Sequence, residues 1–212
     1  DTKEGKKILQ NFLTLSLCQK DWDPINLVYQ IQKEVLDVVN KVKNKSNVIL
    51  GVSGGVDSTT LACILAPVLG GRLICVAIDT GGLRKNEILE LKKNTENAVG
   101  KNLMKNLIII KAEEKFIKNI SKTIDGEKKR EKFREVYKRI FEKQIAKYNA
   151  GFIVQATLAT DIIESRKIGE SAMIKTHHNV GLSWKVEDLH PFRNLFKYEV
   201  RELARVLGLS KA

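Results

Sequence analysis

The chain alternates between short runs of apolar residues and longer segments in which apolar side chains recur at helical spacing. Four apolar runs predict buried strands, at residues 47–52, 73–78, 107–110 and 152–154. Helical spacing marks residues 3–17, 25–43, 112–122, 126–148 and 197–207, a segment that ends near Leu69, one that starts near Asn86 and a short one around 161–165. This order is typical of an α/β fold, with an open, doubly wound, mostly parallel sheet and helices on both faces.

The turn after the first predicted strand, S-G-G-V-D-S at residues 53–58, carries the clearest chemical pattern. Its two glycines permit backbone angles that other residues avoid and let an anion approach closely. Ser53, Ser58 and Thr59 can add hydroxyl donors, and the following helix adds the partial positive charge of its N-terminus. The turn matches neither a Walker A loop nor G-x-G-x-x-G, but it predicts a phosphate site.

Asp57 lies within this turn, where its carboxylate would repel a bare phosphate. A carboxylate in a phosphate cradle is explained if it binds Mg²⁺ that accompanies a polyphosphate. The alternative is a tight turn in which the aspartate caps the helix. The complete pattern between a strand and a helix favours the phosphate site.

Polar residues also follow the other predicted strands. Asp79 and Arg84 come after the second strand, and Gln155 and Thr157 come after the fourth. Because the carboxyl ends of parallel strands share one edge of a sheet, we expect these residues near Asp57.

Asp161 and Glu164 are three residues apart, which places both carboxylates on one face of a short helix. The alternative interpretation is an acidic helix start that the helix dipole stabilises.

Further on, the segment K-T-H-H-N-V-G at residues 175–181 contains adjacent histidines, which point to different sides of any regular element. Since Cys18, Cys63 and Cys75 are distant in sequence, this segment is not typical of a zinc site. A basic loop that closes over anionic substrates fits it better.

The net charge of +12 raises the question of nucleic-acid binding. The lysines are spread over many helix faces with glutamates between them, and no RNA-binding signature or aromatic platform accompanies them, so a solvated surface is favoured.

Three widely spaced cysteines favour reduced thiols in a cytoplasmic protein. No apolar stretch is long enough to cross a bilayer, and the chain has neither a signal-peptide pattern nor an initiator methionine, so we expect a piece of a longer protein.

Several motifs in order resemble a known family. SGGVDS resembles the pyrophosphate loop of the N-type ATP pyrophosphatases. Further blocks resemble the ATP-pyrophosphatase domain of GMP synthetases (glutamine-hydrolysing): DWDP at 21–24, IDTGGLRKNE at 78–87, QAT with DIIES at 155–165, KTHHNVG at 175–181, and LHPFRNLFKYEVR at 189–201, which is similar to E-P-L-R-x-L-F-K-D-E-V-R. The likeness runs from about residue 20 to the end and implies an adenine nucleotide alpha hydrolase-like fold.

The resemblance implies a ligase that aminates XMP to GMP with ATP, Mg²⁺ and ammonia through an adenylyl-XMP intermediate, releasing AMP and pyrophosphate. ATP and pyrophosphate would contact Ser53, Gly54, Gly55, Val56, Asp57, Ser58, Thr59, Ile78 and Lys175. XMP candidates are Arg84, Gln155, Thr157, Asp161, Glu164, Thr176 and Asn179. The implied catalytic residues are Asp57, Asp161, Glu164, Lys175, His177 and His178. Asp57 is the implied magnesium ligand, and Asp161 is a further candidate for that role.

The resemblance also implies neighbours. Residues 1–24 would be a remnant and linker after a glutamine amidotransferase domain, residues 25–212 the synthetase domain, and a C-terminal dimerisation domain would be absent. The full-length protein would be a homodimer, served by an amidotransferase domain or subunit and without nucleic-acid or membrane partners.

Three departures from the family pattern bear on activity: Ala156 in place of glycine, Thr80-Gly81-Gly82 in place of N-G-L, and Leu182-Ser183-Trp184 where a second glycine and a proline are expected. The alternatives are another N-type ATP pyrophosphatase, such as an NAD synthetase or a tRNA-thiolating enzyme, or a truncated nucleotide-binding module without full activity. A thiolating enzyme needs reactive cysteines, and neither Cys63 nor Cys75 is well placed for that chemistry.

Overall fold

A computed structural model of the chain describes residues 2–42, 46–82, 87–100, 106–165 and 182–209. Its strands are β1 (Asn47–Gly51), β2 (Leu73–Asp79), β3 (Leu107–Lys111), β4 (Ala150–Val154) and β5 (Glu187–Leu189). Its α-helices are α1 (Gly5–Leu15), α2 (Pro24–Val39), α3 (Val56–Leu69), α4 (Glu87–Val99), α5 (Glu113–Ile120), α6 (Gly126–Lys147), α7 (Ala159–Ser165) and α8 (Lys197–Val206).

The five strands form one parallel sheet in the order β3-β2-β1-β4-β5. Alternate residues of β1 point to opposite faces, so Val48 and Leu50 pack with α2, α3 and α8, whereas Ile49 packs with α6. A further cluster joins α5 to α6 through Phe116 and Ile140. Helices therefore cover both faces, and the predicted doubly wound α/β fold is confirmed.

The strand β5 was not predicted, because no run of apolar residues marks it in the sequence. It is three residues long, Glu187–Leu189, and pairs with β4 so that Phe152 lies opposite Glu187 and Val154 opposite Leu189. At the edge of the described sheet, a strand needs no alternating apolar face to be held by backbone hydrogen bonds. Hydrophobic periodicity alone could not have located it.

The helix α1 stands apart from the core. None of its residues is buried in the described structure, and Ile8, Leu9 and Phe12 are each more than 60% exposed. The buried part of the chain begins with α2, whose first turn is capped by the Asp23 carboxylate, which accepts a hydrogen bond of 2.9 Å from the Ile25 N–H. The predicted domain boundary at residue 24 stays a prediction.

Across the described ranges, no helix combines the length and the apolar character that a bilayer crossing requires.

Candidate functional site

A cleft of about 500 Å³ opens at the carboxyl ends of the strands, where the strand order reverses between β1 and β4. The chain runs from β1 to β2 and β3 on one side and then returns to β4 and β5 on the other, so β1 and β4 flank a topological switch point. Ligands of doubly wound sheets bind at the carboxyl ends of the strands at such a point. The segments that follow β1, β2 and β4 all line this cleft.

The turn after β1 is held in shape by its own serines. The backbone N–H of Ser53 donates to Ser58 Oγ at 3.1 Å, and the two serine hydroxyl oxygens are 3.2 Å apart. Ser58 Oγ also donates to the Gly55 carbonyl at 3.3 Å. These bonds fix the turn against the first turn of α3, and the Gly55 N–H, at the N-cap of that helix, also donates to Ser53 Oγ at 3.4 Å.

Gly54 is required here for two reasons. Its φ is +78°, in the left-handed region that side chains rarely adopt. A Cβ at this position would also lie 3.2 Å from the Leu91 Cβ and 3.3 Å from its Cα. The close approach of α4 to the turn therefore depends on this glycine.

Gly55 occupies the N-cap of α3, and a glycine has no side-chain oxygen to occupy the first amides of the helix. Those amides and the helix dipole remain suited to an anion. Ser53, Asp57 and Ser58 line the cleft. That this turn binds phosphate stays a prediction.

The remaining polar residue of the predicted loop points elsewhere. Thr59 lines a second cavity of about 430 Å³, together with Gly54, Val56 and residues of α4. Its buried hydroxyl has no hydrogen-bond partner among the described residues. The structure therefore brings Thr59 to the rear of the loop and not to the cleft.

Asp57 faces the cleft from the first turn of α3 and is paired with Lys197, the first residue of α8. Lys197 Nζ lies 2.7 Å from Asp57 Oδ1 and 2.6 Å from Oδ2. The lysine side chain is 43% exposed and the aspartate 26%, so water screens the pair only in part. A cation and an anion thus share the end of the cleft that the turn at residues 53–58 forms.

Lys197 is a site residue that the sequence did not single out. It occurs in the block N-L-F-K-Y-E-V-R, which carried a resemblance but no assigned role. The two partners are 140 residues apart, so only the packing of α8 against α3 reveals the contact.

The β4 side of the cleft holds three of the predicted polar residues. Gln155, Thr157 and Asp161 all line it, and Asp161 Oδ2 accepts a hydrogen bond of 2.8 Å from the Leu158 N–H. Asp161 thus also caps the start of α7, in line with the alternative interpretation. Glu164 is exposed on α7 and is not among the cleft-lining residues.

Two polar side chains of the β5 edge join this group. Asp188 accepts hydrogen bonds from Gln155 Nε2 at 2.9 Å and 3.0 Å through its two oxygens. His190 lies between Asp188, 3.0 Å from Nε2, and the Thr157 hydroxyl, 2.9 Å from Nδ1.

The β2 side is more apolar. Ile78 lines the cleft, and Tyr137 and Phe141 of α6 reach it beneath Gly51, where a Cβ would lie 3.2 Å from the Phe141 ring. Helical periodicity places the apolar stripe of α6 in the core. Phe141 is indeed only 1% exposed, but both aromatic residues also form a wall of the cleft.

Six predicted site residues lie outside the described residues: Arg84, Lys175, Thr176, His177, His178 and Asn179. Their roles stay predictions.

The cysteines near the cleft are poor nucleophiles. Cys75 is buried within β2, and burial raises the pKa of its thiol to about 12. Burial also raises the pKa of Cys63, on α3. Both thiols are therefore protonated at neutral pH, which disfavours thiolate chemistry at this site.

Comparison with known proteins gives a consistent result. Residues 27–170 match the family model of the PP-loop domain. The chain is 38% identical to the GMP synthase (glutamine-hydrolysing) of Coxiella burnetii strain RSA 493 and 40% identical to that of Campylobacter fetus subsp. fetus, over 98% of this chain. It spans 39% and 40% of the length of these curated relatives.

Among solved structures, the chain is similar to the NH3-dependent NAD synthetase of Campylobacter jejuni, solved in complex with a nitrate ion. The TM-score is 0.64 at 15% identity, covering 89% of this chain and 75% of the other. At this identity the likeness supports the fold alone.

Proposed function

The chain belongs to the family of PP-loop domains, and we propose that it is the synthetase half of a GMP synthase, which aminates XMP to GMP at the expense of ATP. One observation carries the proposal: the ends of β1, β2 and β4 converge on a single cleft with the phosphate turn at its centre. The likeness to GMP synthases over nearly the whole chain supports the choice of substrate.

The phosphate end of the cleft is built to stabilise a leaving diphosphate. The amides at the start of α3, the Ser53 and Ser58 hydroxyls and the Lys197 ammonium supply donors and positive charge. Phosphoryl and adenylyl transfer need charge neutralisation and alignment more than a protein nucleophile. These donors and this positive charge support the proposal of an adenylyl-transfer site at this end of the cleft.

Magnesium fits the residues present. Mg²⁺ is typically held by one or two carboxylates, with water and phosphate oxygens completing its shell. Asp57 and Asp161 both line the cleft, and no cluster of three or more acidic, histidine or cysteine side chains occurs among the described residues. When bound, the ion would neutralise charge on the polyphosphate, and Asp57, released from Lys197, would be its first protein ligand.

The two nucleotides would occupy opposite sides of the phosphate turn. The adenine of ATP suits the apolar side near Ile78, Tyr137 and Phe141. XMP would then lie beside the polar side, near Gln155, Thr157 and Asp161. In this arrangement the C2 oxygen of XMP would face the α-phosphorus of ATP across the turn that follows β1, which lies between β2 and β4 in the sheet order.

The predicted roles of Lys175, His177 and His178 complete the proposal. Lys175 would contribute positive charge at the α-phosphate, and the two histidines would help to exclude water when this segment covers the substrates. Ammonia, provided by a glutamine amidotransferase domain or subunit, would displace AMP. A homodimeric assembly and a cytoplasmic location also stay predictions.

The test is acceptor-dependent turnover. The protein is incubated with ATP, Mg²⁺, ammonia and either XMP, deamido-NAD or tRNA with a sulfur donor, and AMP, pyrophosphate and the aminated or thiolated product are measured. We expect AMP and GMP in equal amounts with XMP only. Turnover with deamido-NAD or tRNA but not XMP would contradict the proposal, and ATP binding without any turnover would favour a nucleotide-binding module.

A further inference from the structure

A chain of polar contacts runs along the β4–β5 edge of the cleft, from Gln155 through Asp188 and His190 to Thr157. We propose that His190 is a positioning residue that sets the hydrogen-bond direction of the Thr157 hydroxyl, so that this hydroxyl accepts an N–H of the purine base of the acceptor nucleotide. The proposal rests on the proposed function for the identity of that nucleotide. The direction of the hydrogen bonds follows from the contacts of a neutral His190 ring and not from the identity of the nucleotide.

The first step concerns Asp188. Its two oxygens accept from Gln155 Nε2 at 2.9 Å and 3.0 Å, and Oδ2 also lies 3.0 Å from His190 Nε2. An ionised carboxylate can only accept hydrogen bonds. The proton of a neutral His190 ring must therefore lie on Nε2, which donates to Asp188.

The second step follows from the first. With its proton on Nε2, the neutral imidazole has a lone pair on Nδ1. The only hydrogen that can fill the 2.9 Å contact between Nδ1 and Thr157 Oγ1 is then the threonine hydroxyl hydrogen. Thr157 has one such hydrogen, so any further contact that it makes must be as an acceptor.

The third step places this acceptor at the cleft. Thr157 lines the cleft and is 5% exposed, whereas His190 is not among the lining residues. The position lies on the β4 side of the phosphate turn, opposite the apolar side at β2. A buried acceptor that meets no donor costs free energy, so the site selects a base that presents an N–H at this point.

A matched substitution for His190 must accept the Thr157 hydroxyl hydrogen and donate to Asp188. The family pattern E-P-L-R has glutamate at this position. A glutamate carboxylate would also accept the Thr157 hydroxyl hydrogen, although beside Asp188 it would place two negative charges close together. Glutamine can accept from Thr157 through Oε1 and donate to Asp188 through Nε2, so it reproduces both contacts without the second charge.

The first measurement is independent of activity. Long-range ¹H–¹⁵N NMR spectra of the imidazole rings report which nitrogen carries the proton, and comparison with H190Q assigns His190 among the three histidines. We expect the Nε2–H form in the wild type at neutral pH and a changed tautomer distribution in Asp188→Asn. An Nδ1–H form, or a ring protonated on both nitrogens, in the wild type at neutral pH would overturn the proposal, because Nδ1 would then donate to Thr157.

The second measurement uses the intact protein with ammonia as the nitrogen source. In His190→Phe, which removes both contacts, KM for XMP should rise about three- to tenfold, as expected for one hydrogen bond in a buried site. KM for ATP should stay within about twofold, because one contact at the β4 side is worth little to a ligand bound elsewhere. H190Q should restore KM for XMP to near the wild-type value.

Each outcome has one meaning. A KM for XMP that is equal in His190→Phe, H190Q and wild type overturns the role of His190 while leaving the proposed function intact. Equal rises in both KM values would show a general disturbance of the cleft and also overturn it. Absence of XMP turnover in the wild type refutes the proposed function, and the NMR result then decides the hydrogen-bond direction by itself.

Discussion

At the scale of single residues, Asp57 shows how the site resolves a conflict between like charges. Its carboxylate lies in the first turn of α3, at the place where a phosphate would bind. The helix dipole favours a negative charge there, and Lys197 adds a cation at 2.6 Å and 2.7 Å. The two charges of the pair neutralise each other in the absence of ligand. When ligands bind, Asp57 can contact the metal ion and Lys197 can contact the polyphosphate.

This arrangement predicts that the effect of Asp57→Asn on ATP affinity depends on whether Mg²⁺ is present. Asp57→Asn should weaken ATP binding by about tenfold or more when Mg²⁺ is present, because a charged ligand of the ion is lost. Without Mg²⁺, the same variant should bind ATP at least as tightly as the wild type, since a repelling charge is gone. Titration calorimetry with and without Mg²⁺ distinguishes the two cases.

The matched control is another lysine–aspartate pair. Lys33 and Asp37 form a contact of 2.7 Å on the exposed surface of α2, away from the cleft. Asp37→Asn should leave ATP binding unchanged under both conditions. An equal loss of affinity in Asp57→Asn with and without Mg²⁺ would show that Asp57 acts through the fold of the turn and not through a metal.

The cysteines give a second prediction at this scale. In the native protein, a thiol-specific reagent at neutral pH should modify Cys18, which is exposed, and leave Cys63 and Cys75 largely unmodified. Burial raises the pKa of both, and for Cys75 to about 12, so their thiolate populations are small until the pH approaches these raised values. In denaturant all three should react. Rapid native modification of Cys75 would contradict its placement in the core.

Part of the candidate site could be predicted from the sequence and part could not, because some of its residues are close in sequence and others meet only in the folded chain. Ser53, Asp57 and Ser58 are close in sequence, and their pattern carries the geometry of the turn. Lys197 and His190 contribute through contacts with residues far away in sequence, and no local pattern encodes those contacts. Periodicity assigned Phe141 to the core correctly, but it could not show that a core side chain also forms a wall of the cleft.

At the scale of elements, the site depends on the distance between the turn after β1 and the helix α4. Gly54 permits this distance because it has no Cβ to meet Leu91 and because its φ is +78°. The turn cannot change its backbone without moving α4 or losing the amides at the start of α3. We therefore expect loop geometry and nucleotide affinity to be lost together.

Gly54→Ala should weaken ATP binding by about tenfold or more. Backbone strain alone should lower the free energy of unfolding by about 1–2 kcal/mol. The close contact between the added Cβ and Leu91 should lower that free energy further. Gly208→Ala is the control, because Gly208 has a φ of +75° and a Cβ added there would meet no described atom within 4 Å. The control should share the backbone strain but keep ATP affinity. Urea unfolding and calorimetry measure both effects, and equal loss of affinity in the two variants would refute this account.

The elements themselves were largely predictable, since β1, β2 and β4 bury a continuous apolar run, the apolar run of β3 is partly buried, and α2, α3 and α6 bury apolar side chains at helical spacing. The short strand β5 was not, because its three residues Glu187–Leu189 include two acids and it is held by pairing with β4. The ends of helices also moved by a few residues: α2 ends at Val39, and not near residue 43. Capping and packing, which decide these ends, are weak signals in a single sequence.

At the scale of the whole molecule, the N-terminal helix α1 contributes no buried residue to the described core. The sheet and its two helical layers contain the buried residues, whereas α1 has an apolar face that no described part of the chain covers. Burial of apolar surface is the main source of stability. The stability of the folded unit should therefore be insensitive to side chains of α1, although they are as apolar as those of the core.

Two phenylalanines test this separation with the same substitution. Phe12 on α1 is 65% exposed, whereas Phe116 on α5 is 1% exposed and packs against Phe133 with ring centroids 4.5 Å apart. Phe116→Ala should lower the free energy of unfolding by about 3–5 kcal/mol, the usual cost of such a core cavity. Phe12→Ala should change it by no more than about 0.5 kcal/mol, as for an exposed position.

Chemical denaturation of both variants, followed by the fluorescence of Trp184, measures these changes, because Trp184 packs against Phe141 in the core. The other tryptophan, Trp22, precedes α2 and is 47% exposed, so replacing it with phenylalanine isolates the core signal. A large loss of stability in Phe12→Ala would mean that α1 packs on the domain in solution. In that case residues 1–24 would belong to the folded unit, and the predicted boundary at residue 24 would be wrong.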